Sequence, residues 1–464
     1  MTEPVGSNPV AAVAKAAGTA SAGVSRAGLI GISLGVVAAG AAAGVAIERL
    51  TVGRSTRRRA REELDAAAPY GSLRGRPRTV AAPDGTELYV ELDGTGWPEP
   101  AGLPAALPQQ TPAQPEPAVA AEADGRSRRG WFARRRGAGP VDRSGLPGLL
   151  SGSGALARAG LSGPDAEPQA PAPPLTVVFC HGYCLNQDSW HFQRALLRDG
   201  MRLVFWDQRS HGRSERSRSY LAGEPASIDQ LGGDLKAVLD AVVPEGPIVL
   251  VGHSMGGMTV MALADQHPEL FRERVAGVAL VGTLAGDWDS VTLGLPAVGA
   301  KLLRRLAPAA VRLLGRQVEL VEATRRFGAD VAAVFYRRFS FGSDDVDPQV
   351  VRFAEQLLDA TPIDVVAEFY PAFGLHDKKA ALAALHGIPV LVLAGTEDLL
   401  TPPAHSEDIA RALPEAALVI LPETGHLLML ERPDEVGLHL VELLHRAAGH
   451  AHAAPPPVPG AVRD

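Results

Sequence analysis

From residue 175 onward, short apolar runs rich in β-branched residues alternate with amphipathic helical stretches. The runs that predict strands cover residues 176–180, 203–206, 248–251, 275–281, 390–393 and 417–421. The patterns that predict helices between them cover residues 189–198, 228–242, 256–267 and 433–445. This alternation is typical of a mostly parallel sheet covered by helices on both faces, so we predict an α/β fold.

One long stretch, residues 285–385, interrupts the alternation and is predominantly helical by pattern. We predict that it forms a helical cap over the carboxyl ends of the strands. Aromatic residues in and near it are candidates for lining a substrate pocket, although ordinary core packing is an alternative role for each of them. These candidates are Trp190, Trp288, Phe335, Tyr336, Phe339, Phe341, Phe369 and Tyr370.

A hydrophobic strand pattern runs into a Gly-x-Ser-x-Gly turn and then a helix pattern at residues 249–257, which read VLVGHSMGG. The motif alone is a weak signal, but a preceding strand and a following helix are the context that a nucleophile elbow requires. In that turn the glycines let the strand and the helix pass close together. Ser254 is therefore the candidate nucleophile.

The elbow and several further motifs resemble the α/β-hydrolase fold family. His181-Gly182 follows a predicted strand, as in family members, and residues 207–214 resemble the family's Asp-x-Arg-Gly-His-Gly-x-Ser loop. Ser210 departs from that pattern, because glycine is usual there. The resemblance implies an oxyanion hole made by the backbone N–H groups of Tyr183 and Met255.

The resemblance also implies an acid and a base that follow the nucleophile in chain order. Asp398 lies just after the predicted strand at 390–393, with its neighbour Glu397 as the second choice. His426 follows the last predicted strand, and a neutral imidazole near Ser254 could accept the hydroxyl proton. The implied catalytic triad is Ser254, Asp398 and His426.

A serine nucleophile disfavours the branches that use aspartate, the epoxide hydrolases and haloalkane dehalogenases. What remains resembles serine esterases, lipases and cofactor-free haloperoxidase-like enzymes. We expect cleavage of a carboxylic ester, with a lipid-derived ester as one form, through an acyl-enzyme on Ser254. The same triad serves C–C bond hydrolases, thioesterases or acyltransferases and perhydrolases, and a catalytically silent, membrane-tethered binding protein is an alternative of another class.

Composition argues against several other functions. The two cysteines, Cys180 and Cys184, lie beside His181 without a second ligand pair at zinc-site spacing, so we expect neither a metal site nor a disulfide framework. The net charge of -7 gives no reason to expect a nucleic-acid partner. We expect no cofactor, and a small acyl ester and membrane lipid as the binding partners.

Residues 27–47 contain no charged residue and are long enough to cross a bilayer as a helix. Arginines follow the segment closely, so the positive-inside rule favours a single-pass anchor with the hydrolase domain in the cytoplasm. Gly31 and Gly35, and again Gly40 and Gly44, have the spacing that allows two membrane helices to pair, which suggests a homodimer. An Ala/Gly-rich disordered leader and export after signal cleavage are the alternatives.

Composition and pattern divide the chain into nine predicted segments. Asp84-Gly85 lies between two runs of β-formers, a strong hairpin signal, in the fourth of them. The segments are a disordered N-terminus at 1–26, the membrane helix at 27–47, a basic juxtamembrane linker at 48–77, an N-terminal hairpin of the hydrolase domain at 78–93, a disordered Pro/Ala/Gly-rich insertion at 94–174, hydrolase core at 175–284, the cap at 285–385, further core at 386–450 and a disordered tail at 451–464.

Overall fold

The computed structural model describes residues 70–98, 174–295, 298–299, 301, 305–306 and 337–451. These residues form an eight-stranded sheet with the strand order β1-β2-β4-β3-β5-β6-β7-β8. The strands are β1 Arg76–Ala81, β2 Glu87–Gly94, β3 Thr176–Cys180, β4 Arg202–Trp206, β5 Ile248–His253, β6 Val275–Val281, β7 Val390–Gly395 and β8 Ala417–Leu421. Strands β1, β2 and β4 pair antiparallel and all other neighbours pair parallel, so the predicted, mostly parallel sheet is confirmed.

Asp84 and Gly85 occupy the turn between β1 and β2. The Asp84 carboxylate accepts a hydrogen bond from the Thr86 amide, and Gly85 has a φ of 83°, in the left-handed region that glycine adopts without strain. Because β2 also pairs with β4, this hairpin extends the main sheet.

Helices cover both faces of the sheet. Val177 and Phe179 of β3 point into one apolar cluster, while Val178 and Cys180 point into another on the opposite face. Burial on both faces explains why the strands are nearly continuous apolar runs. The helices are α1 His191–Leu197, α2 Arg218–Leu221, α3 Ile228–Val242, α4 Met255–Gln266, α5 Pro268–Glu273, α6 Pro348–Asp359, α7 Ile363–Phe373, α8 Pro403–Ala412, α9 Leu428–Glu431 and α10 Pro433–His450, with short 3₁₀ helices at Gln187–Trp190, Trp288–Ser290 and Ala380–Leu385.

Several element boundaries differ from the predicted ones. Strands β5 and β7 each run two residues further than predicted, to His253 and Gly395. The predicted helix at 189–198 is a 3₁₀ turn followed by α1, and α10 continues to His450. The extensions of β5 and β7 matter most, because they bring the strand ends directly to Ser254 and close to Asp398.

The described part of the predicted cap contains α6 and α7. Val365, Phe369 and Phe373 of α7 form a third apolar cluster with Met255 and Met258 at the start of α4. Helix α7 therefore packs at the end of the sheet where Ser254 lies. Its packing rests on side chains more than 100 positions apart in sequence.

The predicted membrane helix at 27–47, nearly all of the predicted insertion at 94–174 and nearly all of the tail lie outside the described residues. Among the helices that the structure does describe, none is both long enough and apolar enough to span a bilayer. The membrane anchor, its orientation and its pairing thus stay predictions.

Candidate active site

Ser254 occupies the turn between β5 and α4 with φ 50° and ψ −116°. This left-handed φ is unusual for a residue with a side chain and stores strain, so the surroundings must hold it. The Ser254 amide donates to the Val281 carbonyl at 2.9 Å, and the Thr283 hydroxyl donates to the Ser254 carbonyl at 2.8 Å. Neighbouring strand β6 thus fixes the turn that presents the Ser254 hydroxyl.

The glycines of the elbow are required by close packing. A Cβ at Gly252 would lie 2.4 Å from the carbonyl oxygen of Gly256, and one at Gly256 would lie 2.2 Å from the carbonyl oxygen of Cys180. Either contact would push the strand and the helix apart. The Gly-x-Ser-x-Gly pattern therefore follows from how tightly α4 crosses β3 and β5.

Asp398 and His426 come together at the ends of β7 and β8. The His426 Nδ1 donates to the Asp398 Oδ2 at 2.8 Å, since a carboxylate oxygen only accepts. The amides of Leu400 and Thr401 donate to the Asp398 Oδ1 at 2.8 Å each, and the Thr401 hydroxyl donates to Oδ2. Burial alone would raise the pKa of Asp398, but His426 and these hydrogen bonds outweigh it and lower the pKa. The ionised Asp398 leaves the Nε2 of His426 free to accept a proton.

Glu397, the second choice for the acid, has a different environment. Its side chain is exposed, and its carboxylate accepts a weak hydrogen bond from the Thr396 hydroxyl at 3.4 Å. The carboxylate that contacts His426 is that of Asp398.

Two residues that the sequence did not single out for this purpose fix the loop that carries His426. The His253 Nε2 donates to the His426 carbonyl at 2.9 Å. The Glu431 carboxylate accepts from the Gly425 amide at 2.7 Å and from the amides of Gly342 and Ser343. The only sequence signal for Glu431 was a carboxylate five residues after a glycine-flanked histidine.

His181 and His253 are buried and structural. The His181 Nδ1 donates to the Gly182 carbonyl, while its Nε2 accepts from the Gln208 amide. Burial lowers the pKa of His181 to about 3 and, together with the nearby His426, lowers the pKa of His253 to about 3. Both rings are therefore neutral near pH 7 and support the loops around the site.

The loop that carries Tyr183 lies against the elbow. A Cβ at Gly182 would lie 3.3 Å from the Cβ of Ser254. Met255 is the first residue of α4, where backbone N–H groups have no partner within the helix. Within the described ranges, neither the Tyr183 amide nor the Met255 amide donates a hydrogen bond to a protein group. Two N–H groups beside the nucleophile are what an oxyanion hole requires, and the assigned roles stay predictions.

Ser254 and His426 both face a cavity of about 190 Å³. Of the eight aromatic candidates, Trp288 and Tyr370 line it. Trp190, Phe341 and Phe369 pack in the apolar core instead, Phe339 is half-buried and is not among the lining residues, and Phe335 and Tyr336 lie outside the described residues. The remaining lining residues are Tyr183, Leu185, His253, Met258, Leu293, Ser340, Leu358, Phe373, Leu400, Thr401 and Leu427.

Neither Cys180 nor Cys184 takes part in a disulfide bond. Cys180 is fully buried beneath the elbow, where burial raises the pKa of its thiol to about 12. Over the ranges that the structure describes, no three His, Cys, Asp or Glu side chains cluster in a way that could hold a metal ion.

A family model described as the alpha/beta hydrolase fold matches residues 176–433, more than half of the chain. The chain belongs to the α/β-hydrolase fold family. The predicted nucleophile elbow and the loops that carry Asp398 and His426 all lie inside the matched range.

Two relatives and one solved structure are similar to this chain. It is 26% identical to a dihydrolipoyllysine-residue acetyltransferase component of the acetoin cleaving system from Pseudomonas putida, over 58% of this chain but 63% of that protein. It is 27% identical to 3-oxoadipate enol-lactonase 2 from Acinetobacter baylyi, over 59% of this chain and 89% of that protein. A hydrolase structure from Pseudomonas aeruginosa, 20% identical with a TM-score of 0.50, covers 80% of this chain and 98% of that chain, and supports the fold alone.

Proposed function

We propose that this α/β hydrolase cleaves a carboxylic ester through an acyl-enzyme on Ser254. One observation carries the proposal. Ser254, in the strained elbow, faces the same cavity as His426, whose Nδ1 is bound to the buried Asp398. A histidine oriented by a carboxylate, beside a serine at a helix N-terminus, is the arrangement that activates a hydroxyl nucleophile.

In the proposed mechanism, the Ser254 Oγ attacks the ester carbonyl carbon while the His426 Nε2 takes the hydroxyl proton. The carbonyl oxygen becomes an oxyanion that accepts hydrogen bonds from the amides of Tyr183 and Met255. Its collapse breaks the bond to the alkoxy oxygen, which leaves as an alcohol with the proton from His426. A water then gives a proton to His426 and attacks the acyl carbon, and the bond from that carbon to the Ser254 Oγ breaks as His426 returns the proton to Oγ, which releases the acid and restores both residues.

The cavity favours an uncharged, apolar substrate group. Its described walls contain no Lys, Arg, Asp or Glu, and most of its lining side chains are aliphatic or aromatic. Its volume of about 190 Å³ exceeds the roughly 150 Å³ of a protein cavity that holds benzene. We therefore propose that the enclosed part of the ester is a neutral group of about that size. A lipid-derived ester, which the predicted membrane segment favours, would fit with only part of its chain enclosed.

The enol-lactonase relative supports the reaction class, because a lactone is a cyclic ester. The same acyl-enzyme could pass its acyl group to a thiol or alcohol instead of water, as the name of the acetyltransferase relative suggests. Hydrolysis to the free acid is the function we propose, with that transfer as the alternative.

A p-nitrophenyl ester series of increasing acyl length tests the proposal, with a thioester and a C–C bond substrate in parallel. Ser254→Ala is the control, since it removes only the attacking oxygen. We expect turnover of neutral short esters by the wild-type protein and loss of that turnover in the variant. A folded wild-type protein that turns over no ester, or prefers the C–C substrate, would contradict the proposal.

A further inference from the structure

The loop that follows β3 has a backbone conformation that is unfavourable for its own residues. Cys184 has a φ of 59°, a left-handed value for a residue with a side chain, and the Leu185 amide closes a turn on the Gly182 carbonyl at 3.2 Å. The direction of the Tyr183 amide depends on this turn. Groups outside the loop must therefore hold it in place.

Two hydroxyl hydrogen bonds join this loop to the cap. The Tyr183 hydroxyl donates to the Val366 carbonyl of α7 at 2.5 Å. The Thr361 hydroxyl, just ahead of α7, donates to the Cys184 carbonyl at 3.0 Å. The Tyr183 ring also packs edge-on against Phe373, with ring centroids 5.0 Å apart. The loop is thus attached to the cap at two consecutive residues.

Helix α7 is itself fixed to the core, so it can serve as a support. The Glu368 carboxylate, 2% exposed, accepts from the Ser210 hydroxyl at 2.8 Å and from the Arg216 guanidinium at 3.0 Å. Arg216 also pairs with Asp364. Ser210 has a φ of 65°, where the family's usual glycine would be unstrained, and its hydroxyl supplies one of these anchors.

We propose that Tyr183 and Thr361 are positioning residues, whose hydroxyl groups hold the oxyanion loop from the cap and aim the Tyr183 amide at the reacting carbonyl oxygen. The inference rests on the proposed function, in which that amide is an oxyanion donor. The chain of contacts runs from the loop after β4, through Glu368 and α7, to Tyr183. Contacts from both the cap and the core thereby fix the position of the Tyr183 amide.

The variants Tyr183→Phe and Thr361→Val each delete one hydroxyl and keep the side-chain shape and every backbone amide. We expect each to lower kcat by about three- to tenfold, the worth of one hydrogen bond, with KM changed less than twofold. Thr361→Ser keeps the hydroxyl and should keep the wild-type kcat. Tyr220→Phe is the matched control, because Tyr220 lies on α2 and its ring packs against the same third cluster as Tyr183.

Inhibitor binding separates a positioning role from a structural one. A trifluoromethyl ketone forms a hemiketal oxyanion with the serine, whereas the corresponding secondary alcohol fills the cavity without one. In Tyr183→Phe the Ki of the ketone should rise by the same factor as kcat/KM falls, and the Ki of the alcohol should stay unchanged. Unchanged kcat, or equal weakening of both inhibitors, would overturn the inference. Absent ester turnover by the wild-type protein would instead refute the proposed function.

Discussion

The two sides of the cavity are built differently. On the core side, Ser254, Asp398 and His426 lie at strand ends and are held by hydrogen bonds, many of them to backbone groups. On the cap side, Trp288 and Phe373 present apolar rings whose centroids are 5.1 Å apart. Hydrogen-bonded loops at strand ends allow little variation in geometry, whereas apolar walls can change shape at modest cost. Chemistry should therefore depend mainly on the core side and substrate choice mainly on the cap side.

The largest effect should come from the base. His426→Gln removes the nitrogen that we propose accepts the Ser254 proton, so we expect kcat to fall by about 10⁵- to 10⁶-fold. On the cap side, no single substitution of a lining residue should cost more than about a hundredfold. Steady-state kinetics on one p-nitrophenyl ester measures both, with circular dichroism to verify folding. A kcat of His426→Gln within a hundredfold of the wild-type value would contradict the proposed difference between the core side and the cap side.

Asp398→Asn should lower kcat by about 10⁴-fold, because an amide cannot hold His426 in the required tautomer. Glu397→Gln is the matched control, one residue away and exposed. Its kcat should stay within about twofold of wild type. A larger loss of kcat in Glu397→Gln than in Asp398→Asn would indicate that Glu397, and not Asp398, is the acid.

Acid should destabilise the core side more than the cap. Burial lowers the pKa values of His181 and His253 to about 3 and those of His211 and His376 to about 4. The unfolded chain binds protons on these rings below about pH 6.5 while the folded state does not, so stability falls as the pH falls. Between pH 7 and pH 5 each of these four rings lowers the free energy of unfolding by about 2 kcal/mol. Three of the four, His181, His253 and His211, lie on the core side. Burial raises the pKa of Asp207 to about 6, so protonation of its carboxyl raises the free energy of unfolding by about 1 kcal/mol over the same pH range and offsets part of the loss.

Urea unfolding at the two pH values measures this loss. The matched variant is His376→Gln, which removes the one titrating ring that lies within the predicted cap. The wild-type free energy of unfolding should drop by several kcal/mol, and the variant's drop should be smaller by about 2 kcal/mol. Equal stability of the wild-type protein at pH 7 and pH 5 would show that these rings are not buried in neutral form.

The smallest effect should be one of selectivity. Trp288→Ala enlarges the cavity, so we expect the preference for a bulkier acyl group over a short one to increase about tenfold, measured as the ratio of kcat/KM values. Leu375→Ala, whose side chain is 81% exposed just beyond α7, should leave the ratio unchanged. An unchanged ratio in Trp288→Ala would show that the cap side does not determine which acyl group the protein prefers.

The core side could be predicted from the sequence because its signals are local. Ser254 is marked by the strand, glycines and helix around it, and Asp398 and His426 each follow a strand within a few residues. The cap side could not. Phe369 and Phe373 lie one helical turn apart on α7 with the same chemistry, yet only Phe373 lines the cavity while Phe369 packs in the core. An apolar pattern identifies a buried face and does not separate core from cavity wall.

The departure at Ser210 shows the same limit. The sequence revealed an unusual serine, but its partner Glu368 is 158 positions away, and only the fold brings the two together. Long-range polar pairs of this kind leave no local pattern. For the same reason the sequence could not predict the hydrogen bond from the Tyr183 hydroxyl to the Val366 carbonyl.

The most direct test of the account is to find where a fluorophosphonate probe binds. Intact-protein and peptide mass spectrometry should show one adduct on wild-type protein, on the hydroxyl of Ser254, and none on folded Ser254→Ala. His426→Gln should label far more slowly, because the hydroxyl has lost its base. An adduct that persists in Ser254→Ala, or a folded wild-type protein that takes up no probe, would contradict the assignment of Ser254 as the nucleophile.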